Sequence, residues 1–96
     1  MNYKILKVNN LDEIIPFTEK FNDENIIIDL TKLEVTIDKI VSLKKIANQK
    51  RKNGTSFVII NATIDIDELP EEINVVPTLQ EAIDVIDMDE MMRELE

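Results

Sequence analysis

The sequence predicts an α/β domain: a sheet of about four strands, mostly parallel or mixed, with helices packed against it. Three observations carry this. Short Ile-rich runs read as strands buried on both faces. Segments with helical spacing stand between those runs, and strands alternating with helices imply parallel pairing. Capping residues, one Gly and three Pro mark the boundaries.

Tyr3 to Val8 alternates, apart from Leu6, and reads as a first strand. Leu11, Ile14, Ile15, Phe17, Thr18 and Phe21 then follow helical spacing. Asn10 is the predicted N-cap, with Glu13 three residues on. Pro16 inside this stretch should kink the helix or confine it to about two turns. Asn25 to Leu30 is an apolar run broken only by Asp29 and reads as a central strand. The spacing of Ile37, Ile40, Val41, Leu43, Ile46 and Ala47 predicts one helix over Thr36 to Asn53. Thr36 is its N-cap and Gly54 its C′ residue. Ser56 to Ile60 and Ile73 to Val76 are the third and fourth strands, separated by a loop or helical turn. Thr78 and Glu81 form a capping box for a final helix. Its stripe Leu79, Ala82, Ile83 and Ile86 should cover the sheet.

With 96 residues the sequence reads as a single domain, 1–96, holding one core. There is no Cys and no His. That removes thiolate chemistry, the imidazole base and nearly every catalytic zinc site. The twenty acidic side chains supply no matched nucleophile and base, and only one Gly leaves no phosphate loop. Asp65, Asp67, Glu68, Glu71 and Glu72 lack the ligand and Gly spacing of a calcium loop. The expectation is a non-enzymatic protein with no metal and no cofactor. No apolar run reaches the roughly 18 residues of a membrane span. MNYKILKVNN shows no signal-peptide pattern, so the expected location is the cytoplasm, without membrane contact.

Charge is segregated. Residues 1–63 hold ten basic and eight acidic side chains, and residues 64–96 hold one basic and twelve acidic. The net charge is −9, and the acidic third argues against nucleic acid as a partner. Lys44, Lys45, Lys50, Arg51 and Lys52 form one basic cluster. It reads either as cations complementing a helix C-terminus or as a docking patch for an acidic partner. Residues 87–96 form an acidic, Met-rich helix end. There Met88, Met91, Met92 and Leu95 either curve round the domain or form an association surface. An identical acidic helix would be repelled. The expected contact is therefore the 44–52 face of another copy, or a basic partner, and a homodimer is one outcome.

From Asn25 to Ala82 the chain resembles the STAS domain, the sulfate-transporter and anti-sigma-factor-antagonist module. The residues that carry the resemblance are Asp29-Leu30-Thr31, Leu33, FVIIN over 57–61 and Pro77-Thr78-Leu79-Gln80-Glu81-Ala82. A narrower resemblance is to short bacterial STAS-type proteins labelled ribonuclease Z. Ribonuclease Z holds two metals with a His-rich motif, and this chain has no His. The resemblance implies an α/β sandwich of STAS type, acting as a regulatory protein-interaction module. Its partner would be an anti-sigma, kinase-like protein or an accessory enzyme. The family's helix starts Asp-Ser-Ser-Gly, with a phosphorylated serine. Here that region reads Glu34-Val35-Thr36-Ile37-Asp38-Lys39, with no serine. Thr36 is the one hydroxyl there, either a structural N-cap or a phosphosite. The partner surface implied is Thr36 with Val35, Ile37 and Ile40, beside loop 31–35. The alternative is a self-associating structural or accessory protein working with a neighbouring gene product. A small-ligand or nucleotide binder is a third reading, as some STAS domains are suggested to be.

Overall fold

The computed structural model describes residues 2–95. Four strands form one sheet in the order β1-β2-β3-β4: Tyr3–Lys7, Asn25–Asp29, Phe57–Ile60 and Asn74–Val76. Every neighbouring pair is parallel, in registers that set Ile5 beside Ile27, Ile27 beside Val58 and Ile60 beside Val76. The mixed-sheet option is therefore closed. All four strands end along one edge, so the loops leaving them share one side of the molecule.

The helices divide between two faces. On one, α1 (Ile14–Lys20), α2 (Ile37–Val41) and α3 (Lys44–Lys52) cover Ile26, Ile28, Phe57 and Ile59. On the other, α4 (Leu79–Glu94) lays Ala82 and Ile86 against Ile27, Val58 and Ile60. Strands β2 and β3 are buried on both faces, which is why their sequences are apolar without alternation. A single helix does not cover four strands, and Ile5 on the edge strand β1 stays 38% exposed.

Local chemistry sets the boundaries. The Asn10 side chain accepts from Asp12 N–H and starts a short 3₁₀ turn, Leu11–Glu13, ahead of α1. Pro16 falls in the first turn of α1, where backbone N–H groups have no intrahelical acceptor, so it causes no break. Gly54, at φ +76°, ends α3. Thr55 N–H donates to Lys50 C=O and Gly54 N–H to Arg51 C=O, the bonding of a Schellman cap. Thr78 accepts from Glu81 N–H at the start of α4, the N-cap half of the predicted capping box.

Three expectations are corrected. The helix expected over Thr36 to Asn53 is two helices. The Ser42 hydroxyl donates back to Lys39 C=O, and Leu43 N–H bonds Ile40 C=O three residues back, which tightens the turn between them. Leu79 does not join the core stripe; at the first position of α4 it is 43% exposed. Lys50 is not part of a basic surface. It is 2% exposed, and its ammonium donates to the carbonyls of Phe21 (3.1 Å), Asn22 (3.0 Å) and Glu24. It closes the turn that leads from α1 into β2. Burial lowers its pKa, opposed by the charges of Asp23 and Glu24.

Candidate functional site

The side of the sheet where the strands end is built from polar turns. Asp29 Oδ1 accepts from the N–H and hydroxyl of Thr31, at 3.0 and 2.6 Å. One strand over, buried Asn61 accepts from Thr63 N–H, the Thr63 hydroxyl and Ile64 N–H. These turns are what the Asp29-Leu30-Thr31 and FVIIN motifs do physically: each carboxylate or amide satisfies the backbone that leaves a strand. They wall a cavity of about 180 Å³ with Lys32, Leu33 and Glu34.

Beside them lies a larger concavity of about 730 Å³. One wall is Asn9, Asn10, Leu11, Asp12 and Ile15, leaving β1 and entering α1. The other is Leu33, Glu34, Val35, Lys39, Ser42, Leu43, Lys45 and Ile46, leaving β2 and running into α3. Leu11, Ile15, Leu33, Val35, Leu43 and Ile46 make its floor apolar. Ile15 is 56% exposed. A second hollow of about 260 Å³ continues between α1 and α3 and shares Ile15, Lys45 and Ile46. Together they form one groove along the α1–α3 face. Ends of parallel strands are where α/β sheets usually build such sites.

The predicted surface residues divide. Val35 lines the groove and is half-buried. Thr36 is exposed, and its hydroxyl accepts from Lys39 N–H at 3.3 Å, so it caps α2 while its oxygen stays open to solvent. Ile37 is half-buried outside the groove lining. Ile40 differs from the expectation: it is fully buried in the core with Ile14 and Leu43, so its side chain does not reach the surface. Met88, Met91, Met92 and Leu95 are 60–87% exposed along the outer side of α4. The acidic residues between them do more than flank. Asp89 accepts from the buried Ser56 hydroxyl at 2.7 Å, and Arg93 donates to that same oxygen at 2.6 Å. Glu90 accepts from Asn25 at 2.9 Å. The end of α4 is thereby tied to the starts of β2 and β3.

Ile15, Leu11 and Ile46 are groove residues that the sequence does not single out, since their spacing is ordinary helical spacing. Exposure alone separates Ile15 from core positions, and no sequence pattern encodes it. Ser56 is buried, and its hydroxyl is occupied by both a donor and an acceptor. Among the described residues no group of three acidic side chains is arranged to hold a metal ion, and no helix is long and apolar enough to cross a membrane. Comparison with family models, curated proteins and solved structures gave no match.

Proposed function

We propose that this chain is a non-enzymatic, STAS-like protein-interaction module whose docking surface is the α1–α3 groove. The single observation behind this is the apolar floor of the groove, where Ile15 is 56% exposed and Leu11, Leu33, Val35 and Ile46 are half-buried. An apolar floor with a polar rim is the anatomy of a protein-binding surface. The resemblance implies a partner at the loop after the second strand, and Leu33, Glu34 and Val35 are that loop. In this reading the chain is an anti-sigma-factor-antagonist-like regulator, cytoplasmic, without the usual phosphorylatable serine. Its partner carries an apolar helix or strap to lay in the groove; the resemblance implies an anti-sigma, kinase-like or accessory-enzyme protein.

A photo-reactive amino acid at Val35, introduced in the producing cell, tests this. A defined cross-linked protein that disappears when Ile15→Glu is added is the expected result. Cross-links that are absent, or indifferent to Ile15→Glu, refute the groove. The second reading, self-association, is favoured by a separate observation, the exposed stripe of Met88, Met91, Met92 and Leu95.

A further inference from the structure

We infer that the occupant of the groove is the α4 end of a second copy of this chain, joined head to tail. The inference rests on the groove being a docking surface and adds what fills it.

Charge is the first argument. From Lys39 to Ile64 the chain holds no acidic residue and six basic ones, of which Lys50 is buried and the other five stand outside the core; from Asp65 to Met92 it holds ten acidic residues and no basic one. In the fold the first segment makes one wall of the groove. Lys39 and Lys45 line it, and Lys45 and Lys52 continue over the outer face of α3, where Lys44 lies 3.9 Å from Glu72 of the same chain. The second segment makes α4, whose outer side sets Asp84 and Asp87 beside the Met stripe. The one cation of α4, Arg93, is held by Ser56 and Asp89. Asp12, Glu19 and Glu34 stand along the groove as well, chiefly toward the α1 and loop 31–35 sides. They fix the approach: carboxylates of an incoming helix face α3, and its apolar stripe faces Ile15 and Ile46.

Size is the second argument. Met88 to Leu95 spans about 10 Å at the helical rise of about 1.5 Å per residue, and the nine residues of α3 span about 13 Å. Met side chains adapt to irregular apolar floors such as this one.

Topology is the third. The groove and α4 lie on opposite faces of the sheet, so one chain cannot fill its own groove. Each docked copy offers a new free groove and a new free α4. Such a heterologous contact does not stop at two unless a ring closes.

Mass measured by light scattering over a concentration series tests the inference. The full chain should exceed the mass of two copies as concentration rises, and should fall back as salt screens the charges. Ile15→Glu breaks the groove, and Met88→Ser with Met92→Ser breaks the stripe. All three positions are exposed, and unchanged circular dichroism verifies the fold. Each variant alone should associate at least roughly tenfold more weakly, the loss expected for a buried anchor. Mixed together, one intact groove and one intact stripe remain, and the mass should stop at two chains. A wild-type chain that stays monomeric overturns the proposal, as does Ile15→Glu protein that still dimerises. The Val35 cross-link separates this failure from that of the groove itself. A different protein captured there by a monomeric chain removes the second copy as occupant and keeps the groove. No capture and no association remove both.

Discussion

Replacing Lys50 by methionine should destabilise the domain by about 1–3 kcal/mol, although this lysine stands in a run that looks like surface charge. The ammonium donates to three carbonyls in the 21–24 turn. A hydrogen bond from a charged donor contributes roughly 1.5–3 kcal/mol. Against that gain stands a desolvation cost of several kcal/mol for a group 2% exposed. Methionine keeps the length of the stem and removes both terms. Asn22 is exposed and Phe21 and Glu24 are half-buried, so water can reach part of the turn and moderates the loss. In urea, a chain of this size should show its midpoint lowered by roughly 1–2 M. Lys52→Met, at an exposed position in the same helix, should change the stability by no more than about 0.5 kcal/mol. pH supplies a second readout. Burial lowers the Lys50 pKa, so the folded chain releases this proton at a lower pH than the unfolded chain. In the alkaline window below the ordinary lysine value the unfolded chain binds more protons. The contribution of Lys50 to stability therefore rises with pH there. The gap between wild type and Lys50→Met should widen as pH rises toward the ordinary lysine value of 10.5. Equal midpoints for Lys50→Met and Lys52→Met would refute the reasoning.

Four further outcomes are expected. Thr36→Ala should cost about 0.5–2 kcal/mol in urea denaturation and Thr36→Ser little, because the hydroxyl caps α2. Ile40→Ala should cost about 2–5 kcal/mol and Ile15→Ala less than about 0.5 kcal/mol, since one is core and the other groove floor. Truncation after Ile86 should keep a native-form circular dichroism spectrum with less helix. It should lower stability by about 1–3 kcal/mol, because Ser56 and Asn25 lose partners. Purified chain with zinc or manganese should stay at background on transfer-RNA precursors and phosphodiesters, and turnover that survives further purification would contradict the non-enzymatic reading.

The α/β class and the four strands are legible because β2 and β3 are buried on both faces, and NIIID and FVII show it directly. Caps at Asn10, Thr36 and Thr78 are legible because capping is local chemistry. The break at Ser42 and Leu43 is hidden, since Ser is tolerated within helices and the tightened turn follows from docking Ile40 and Leu43 in one core. The role of Lys50 is hidden for a different reason: its acceptors lie 26 to 29 residues away in sequence. The groove joins residues 9–15 to residues 33–46, so no single stretch carries its pattern. Val35 is found at its end; Ile40, read from the same stripe, faces the opposite way into the core.

The most direct test of the α1–α3 groove as the association surface is a methyl NMR spectrum of the full chain across a concentration series. The account predicts that the methyl signals of Ile15, Leu33, Val35 and Ile46 shift together with those of Met88, Met91 and Met92, while Ile27, Val58 and Ile60 stay fixed. Shifts confined to Ile5 at the sheet edge, or to the Met stripe alone, would contradict it.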